Sequence, residues 1–148
     1  GASWASTIAP GDDVDLELPY GHWLVTTDKD TTEAEVPHQR IFIATGTGIA
    51  PFLAAFEADK RDDDILIVGY SRTEDDLTGR AGTPLPRLVR CVSREATPGT
   101  FHGRVTDYLH TEGIDPQATY YVCGSARIVR DISRIIQAGG ARVSYETF

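Results

Sequence analysis

A glycine-rich turn lies between a buried apolar run and a helical segment, and it is a candidate phosphate-binding loop. The apolar run RIFIA ends at Ala44 and is followed by Thr45-Gly46-Thr47-Gly48-Ile49-Ala50-Pro51. Glycines let backbone amides approach an anion, and a helix N-terminus offers unpaired N–H donors and partial positive charge. Pro51 suits an early helical position, where no donor is needed. The segment therefore predicts phosphate or diphosphate binding, although the same glycines suit a tight turn that binds nothing.

A second turn of the same kind follows the apolar run TYYVC at Cys123-Gly124-Ser125. Gly124 permits a close backbone approach, and Ser125 can cap the helix that comes next. Cys123 carries a small, polarisable side chain at the end of a strand. It can be a buried core thiol or a group beside a ligand, and this segment alone does not separate the two.

Arginines follow the other strands. They occur in Ser71-Arg72, Ser93-Arg94 and Gly103-Arg104. A guanidinium fork matches the geometry of phosphate, so three arginines at successive strand exits could surround one doubly charged group. The alternative for each arginine is a surface salt bridge with one of the many carboxylates.

The elements that must position these residues alternate between buried strands and helices. Strands are predicted at 40–44, 64–70, 88–92, 119–123 and 141–145, and helices at 50–60, 105–109 and 125–138. The last helix places Ile128, Ile132, Ile135 and Ile136 on one face and stops at Gly139-Gly140. The alternation predicts a nucleotide-binding, Rossmann-like α/β fold, with a five-stranded, mainly parallel sheet flanked by helices. Ligands of such sheets bind beyond the carboxyl ends of the strands.

Residues 1–37 follow a different pattern. A turn at Pro10-Gly11-Asp12 precedes a stretch, 14–18, in which apolar and acidic residues alternate, and 22–26 is a second short strand. Residues 28–37 are polar and are typical of a linker. We expect a short antiparallel β segment with its linker over 1–37 and the nucleotide-binding domain over 38–148.

Composition excludes several classes of function. The chain has 148 residues, 41% of them hydrophobic, and a formal net charge of -8. No apolar run approaches the roughly 18 residues of a membrane span, and the acidity disfavours nucleic acid as a partner. Two cysteines cannot build a disulfide framework or supply the four ligands of an iron–sulfur cluster, so no metal site is predicted and a cytoplasmic location is expected.

Together these segments resemble a known family. The motifs GTGIAPF (46–52), VSRE (92–95) with Gly103-Arg104, YVCG (121–124) and the terminal Glu146-Thr147-Phe148 occur in one order. In that order and spacing they are similar to the C-terminal NADP-binding half of ferredoxin–NADP⁺ reductases. The resemblance implies that 1–37 is the end of a flavin-binding β-barrel.

The resemblance also implies roles for individual residues. The loop Thr45 to Gly48, with Pro51, would hold the cofactor diphosphate, and Gly124 would line the same pocket. Ser93, Arg94 and Arg104 would bind the 2′-phosphate of NADP(H), with Arg72 as a helper. Cys123 would lie beside the reacting carbon of the nicotinamide, Glu146 would support the nicotinamide and proton traffic, and Phe148 would stack on the flavin.

The implied activity is hydride transfer from NADPH to FAD, followed by electron transfer to ferredoxin, flavodoxin or another carrier protein. The barrel motif Arg-x-Tyr-Ser is absent, so the 148-residue chain is expected to bind FAD weakly and to need an FAD-binding domain. Two alternatives stay open. One is an NADH-dependent reductase component of an oxygenase or haem system, and the other is a non-catalytic nucleotide-binding module.

Overall fold

The computed structural model describes residues 7, 9–13, 39–80, 82 and 84–147. In the N-terminal part, the turn at Pro10-Gly11-Asp12 is confirmed: the Asp12 amide donates to the carbonyl of Ala9 at 3.1 Å, and the Ala9 amide donates to the Asp12 carboxylate at 2.8 Å. The predicted strands within 14–26, the linker 28–37 and Phe148 lie outside the described residues. The antiparallel segment and the domain boundary at residue 37 therefore stay predictions.

The described chain forms one sheet of six strands, all of them parallel. The strands are β1 (Arg40–Thr45), β2 (Ile65–Tyr70), β3 (Arg87–Val92), β4 (Phe101–His102), β5 (Thr119–Gly124) and β6 (Arg142–Thr147). Their order across the sheet is β4-β3-β2-β1-β5-β6. The direction of winding reverses between β1 and β5, and ligands of open parallel sheets bind at such a reversal.

Helices cover both faces of the sheet, because β1, β2 and β5 are apolar on both sides. The helices are α1 (Ala50–Asp59), α2 (Val105–Glu112) and α3 (Ala126–Ala138). On one face, Phe42 packs edge-on against Phe52 and Phe56 of α1, with ring centroids 5.3 and 4.8 Å away. On the other face, Ile41 and Ile43 share a core with α2 and α3. The sheet is held from both sides, which fixes the positions of the loops at its carboxyl edge.

Two sequence-based expectations need correction. The sheet has six strands instead of five, because β4 spans only two residues and is too short to show a period. Ile128 is 38% exposed, whereas Val129, Ile132 and Ile136 are buried. The buried stripe of α3 therefore passes through Val129, and Ile128 lies at its edge in the first turn. No helix in the described ranges is long and apolar enough to cross a membrane.

A buried ion-pair cluster fixes the amino edge of the sheet, opposite the candidate site. The Arg40 guanidinium is fully buried and donates to both carboxylate oxygens of Asp64, at 2.8 and 2.7 Å. It also donates to a carboxylate oxygen and the carbonyl of Asp59, at 2.9 and 2.8 Å. Burial by itself lowers the pKa of Arg40, but the bonds and charge of the two aspartates outweigh burial and raise it. The cluster ties the end of α1 to the starts of β1 and β2.

Candidate functional site

The residues singled out in the sequence lie along one edge of the sheet, each at the carboxyl end of a parallel strand. Reading across the edge, they are Glu146 on β6, Cys123 on β5, Thr45 on β1, Arg72 after β2, Ser93 and Arg94 after β3, and Arg104 after β4. Adjacent strands are about 4.8 Å apart, so the end of β5 and the end of β3 are separated by about 14 Å. The edge can therefore accommodate an extended ligand that contacts several strand exits.

The glycine-rich segment forms a 3₁₀ turn, Gly46–Ile49, that packs directly on the end of β5. A Cβ atom on Gly48 would lie 2.7 Å from the carbonyl carbon and still closer to the carbonyl oxygen of Cys123, and 3.0 Å from the Gly124 nitrogen. These are backbone atoms, so a side chain at Gly48 has no space. Only glycine allows the turn to approach β5 this closely.

A second close approach lies between Gly124 at the end of β5 and Thr45 at the end of β1. A Cβ atom on Gly124 would overlap the hydroxyl oxygen of Thr45. Gly46 has a φ of +55°, a conformation that favours glycine, and a Cβ there would meet nothing within 4 Å. Gly46 and Thr47 are exposed. The turn is therefore packed tightly against β5 below and is open to solvent above, which suits a loop that receives a ligand.

Pro51 and Ser125 occupy the predicted helix starts. Pro51 is in the first turn of α1, as expected from its missing donor. Ser125 is the N-cap residue of α3, but its side chain makes no capping hydrogen bond. The prediction that Ser125 occupies the N-cap position is confirmed, but the predicted capping hydrogen bond of its side chain is absent. The Ser125 hydroxyl lies beside Gly124 at the reversal of the sheet.

Cys123 and Glu146 are directly paired across β5 and β6. The Cys123 thiol is buried, with a relative exposure of 4%, whereas Glu146 is partly exposed. Burial, and secondarily the negative charge of Glu146, raise the pKa of the Cys123 thiol above its ordinary value. Cys123 is therefore a neutral thiol at neutral pH, and a carboxylate lies next to it at the same edge.

Ser93 and Arg94 continue the pairing of β3 with β2 beyond the strand ends. The Ser93 amide donates to the carbonyl of Tyr70 at 3.2 Å, and the Arg94 amide donates to that of Ser71 at 3.0 Å. The side chain of Arg94 is exposed, as is that of Arg104. Neither guanidinium forms an ion pair with a carboxylate of the described residues. Two exposed positive charges in a chain of net charge -8 are thus available for an anion.

Arg104 is positioned by its backbone. It precedes α2 as the N-cap residue, and its amide donates to the carboxylate of Asp107 at 2.8 Å. Gly103, just before it, has a φ of +150°, and its amide donates to the carbonyl of Val92 at the end of β3. These bonds place Arg104 next to the exit of β3, where Arg94 begins its own loop.

Arg72 differs from the other two arginines. Its guanidinium lies 4.0 Å from the carboxylate of Glu95, and 54% of its side chain is exposed. The salt bridge that the sequence left as an alternative for every arginine is therefore present at Arg72. Glu95 was noted only as part of a motif, because its partners come from a different strand exit.

A polar cluster beside the glycine turn was not expected from the sequence. Asp76 accepts hydrogen bonds from the Tyr70 hydroxyl at 3.2 Å, from Arg90 Nε at 2.9 Å, and from the amide and hydroxyl of Thr78. Burial, followed by the charge of Asp76, raises the pKa of Tyr70 to about 12. The cluster shapes the segment after β2, and Tyr70 and Asp76 share a small cavity with Gly46. In the described ranges no group of three or more His, Cys, Asp or Glu side chains could hold a metal ion.

Comparison with known proteins identifies the fold. No family model and no curated protein sequence matches the chain. Among solved structures, it superposes on a ferredoxin NADP⁺ reductase from Neisseria gonorrhoeae with bound FAD and NADP (TM-score 0.66, 20% identity, 76% of this chain and 57% of that one). It also superposes on the flavohem-like FAD/NAD-binding domain of nitric oxide dioxygenase from Vibrio cholerae (0.60, 18%, 80% and 53%).

A third match is a cytochrome P450 reductase from Amycolatopsis (TM-score 0.63, 21% identity, 83% of this chain and 40% of that one). The chain thus spans between about two fifths and three fifths of the length of these three proteins. The resemblance predicted from the sequence is confirmed at the level of the fold. The chain has the α/β fold found within ferredoxin NADP⁺ reductase and within the other two matched structures.

Proposed function

We propose that the chain is the NAD(P)H-binding domain of a flavin-dependent oxidoreductase, which passes hydride from NADPH to FAD and electrons on to ferredoxin or a similar carrier. The observation that carries this proposal is the close packing of the glycine turn on β5. It brings a loop that is open to solvent next to Cys123 and Glu146 at the reversal of the sheet, and we propose that this loop accepts the anion. The matched structures named for FAD and NADP, and for FAD and NAD, support the same assignment.

In this proposal the nucleotide lies across the carboxyl edge of the sheet. The backbone of Gly46 to Gly48 holds the diphosphate, because Gly46 and Thr47 are exposed and the amides of the turn precede a helix. Cys123 and Glu146 flank the nicotinamide, where a neutral thiol offers a small apolar contact and a carboxylate can accept hydrogen bonds. The cofactors supply the redox chemistry, whereas the protein orients them.

The preference for NADPH depends on the two exposed arginines. Ser93 and Arg94 follow β3 and Arg104 follows β4, at neighbouring exits that lie about 14 and about 19 Å along the edge from the end of β5. A phosphate monoester is doubly charged near neutral pH and pairs well with guanidinium groups. We propose that these three residues bind the 2′-phosphate and that Arg72 contributes less, because it faces Glu95.

The test compares the dissociation constants of 2′-phospho-AMP and AMP, measured by isothermal titration on the 148-residue chain. We expect 2′-phospho-AMP to bind at least about tenfold more tightly, which is one good charge-assisted contact. Arg94→Gln and Arg104→Gln should each remove most of that difference. Arg87→Gln is the matched control, because Arg87 is exposed at the opposite end of β3. Equal constants for the two nucleotides in the wild type would contradict NADPH specificity.

A second candidate is an NADH-dependent reductase component of an oxygenase or haem system. The matches to a cytochrome P450 reductase and to a nitric oxide dioxygenase domain favour it. The glycine turn and Cys123 serve both candidates equally, so only the 2′-phosphate comparison separates them. In either case FAD is held mainly by a domain outside this chain, and we expect the isolated chain to bind FAD weakly. Phe148 is proposed to stack on that flavin.

A further inference from the structure

Glu95 links two strand exits of the candidate site. One of its carboxylate oxygens accepts hydrogen bonds from the amide and the hydroxyl of Thr73, at 2.6 and 2.5 Å. Thr73 lies in the loop after β2, whereas Glu95 lies in the loop after β3 and directly follows Arg94. The Thr97 hydroxyl lies 3.0 Å from that of Thr73 and completes the contact. The carboxylate is therefore held in one place by the backbone and side chain of another loop.

The other oxygen of the same carboxylate faces Arg72. The distance to the guanidinium is 4.0 Å, and 35% of the Glu95 side chain is exposed. An ordinary surface carboxylate can swing away when a stronger anion arrives, because such pairs are weak. Glu95 differs in that Thr73 fixes its position, so its negative charge stays beside Arg72. The hydrogen bonds from Thr73 also lower the pKa of Glu95, so that it is ionised at neutral pH.

We propose that Glu95 is a specificity-determining residue of the nucleotide site, which offsets the charge of Arg72 and thereby limits the affinity for a 2′-phosphate. This inference rests on the proposed function, because it concerns the same phosphate. With Glu95 in place, the phosphate meets the guanidiniums of Arg94 and Arg104, which pair with no carboxylate in the part of the chain that the structure describes. Without the carboxylate charge, it meets a third, that of Arg72, at the neighbouring exit.

The consequence is that the site prefers 2′-phospho-AMP over AMP less strongly than its three arginines would allow without Glu95. A fixed carboxylate penalises a doubly charged phosphate and leaves a hydroxyl almost unaffected, because charge–charge interactions fall off slowly with distance whereas a hydroxyl carries no charge. Glu95 thus acts on the difference between 2′-phospho-AMP and AMP and has little influence on the adenosine part that the two nucleotides share.

The experiment uses Glu95→Gln, which keeps an oxygen to accept the hydrogen bonds of Thr73 but removes the charge. The quantity measured is the ratio of the dissociation constants of AMP and 2′-phospho-AMP at low ionic strength. We expect this ratio to rise about threefold or more relative to wild type, and to fall back toward the wild-type value as salt is added. The matched control is Glu57→Gln, which changes net charge equally from an exposed position on α1.

A second variant tests the route through Arg72. In the Arg72→Gln background, Glu95→Gln should raise the ratio by a clearly smaller factor, because the guanidinium that it releases is absent and only the direct repulsion between carboxylate and phosphate is relieved. A rise of the same size without Arg72, or a ratio in Glu95→Gln equal to that in Glu57→Gln, would overturn the inference while leaving the proposed function intact. A wild-type ratio close to 1 would instead overturn the proposed NADPH specificity, and this inference with it.

Discussion

Replacement of Gly48 by alanine tests the packing on which the candidate site depends. The added carbon would lie 2.7 Å from the Cys123 carbonyl carbon and 3.0 Å from the Gly124 nitrogen. Ordinary van der Waals contact begins at 3.4 Å, so the turn must move away from β5 by at least about 0.7 Å. The atoms that it meets are backbone atoms of a central strand, which cannot rotate aside.

The magnitude follows from the cost of overpacking. Adding a methyl group to a well-packed position costs about 1–3 kcal/mol, and the rigidity of β5 places Gly48→Ala toward the upper end. For a chain of this size a loss of about 3 kcal/mol lowers Tm by about 6–12 °C. If the turn holds the diphosphate of NADPH as proposed, its displacement should also lower the affinity for NADPH about tenfold or more.

The assay is thermal unfolding followed by circular dichroism, together with titration of NADPH. Gly79→Ala is the control, because a Cβ there meets nothing within 4 Å and its φ is not in the left-handed region. Gly124→Ala is informative beside it, since the one atom that its added carbon overlaps among its nearest neighbours is the Thr45 hydroxyl oxygen, a side-chain atom. The double variant Thr45→Ala/Gly124→Ala should therefore recover much of the stability that Gly124→Ala loses.

The reasoning is refuted if Gly48→Ala unfolds within about 1 °C of Gly79→Ala and binds NADPH with unchanged affinity. That result would mean that the glycine turn accommodates a side chain, and that its approach to β5 does not determine the shape of the site. Loss of NADPH affinity with unchanged stability would support the role in binding but contradict the steric cost calculated from the packing.

Two further predictions concern ion pairs, one at the amino edge of the sheet and one in the polar cluster beside the glycine turn. Arg40→Met should destabilise the chain by about 3–5 kcal/mol, because it leaves the buried Asp64 carboxylate without its cation. Chemical denaturation should show that the double variant Arg40→Met/Asp64→Leu recovers part of the lost free energy of unfolding. At Asp76, burial by itself raises the pKa, but the hydrogen bonds from Thr78 and Arg90 lower it overall. The stability from this carboxylate is therefore present above its unfolded pKa of 3.8 and is lost as the pH falls through the lower folded value. The unfolding free energy of Asp76→Asn should accordingly depend less on pH below about 4 than that of the wild type; equal slopes would contradict this assignment.

Much of the sheet could be predicted from local sequence alone. Buried parallel strands such as RIFIA and DILIVGY are continuous apolar runs. The exit of the first is marked by the glycines of 46–48, and the exit of the second by the polar residues Ser71 and Arg72. That pattern correctly indicated that Gly46, Arg94 and Gly124 would share one edge. It could not reveal why Gly48 must be glycine, because its neighbour is the backbone of Cys123, which lies 75 positions away in the chain.

The features that escaped prediction depend on tertiary contacts. β4 contains only Phe101–His102, too few residues to show a period of two. Arg40 was part of an apolar run, and its burial becomes understandable only when Asp64 is placed beside it. The same holds for Glu95, whose partners Thr73 and Arg72 come from a neighbouring loop. A charged side chain acquires its role from residues distant in sequence, and periodicity carries no information about them.

The sheet order has a consequence for how the chain reaches its folded state. β1 pairs with β2 at a separation of about 24 residues, but with β5 at a separation of 79. Closing the longer loop costs more entropy before any contact compensates for it, so the β1–β5 ladder should form late. An intermediate containing β1 to β4 would already carry the loops of Arg72, Arg94 and Arg104. It would lack β5, the strand on which the glycine turn packs. The proposed nucleotide site should therefore be completed only in the last folding step, and a nucleotide present during refolding would stabilise the finished state without accelerating the assembly of its first half.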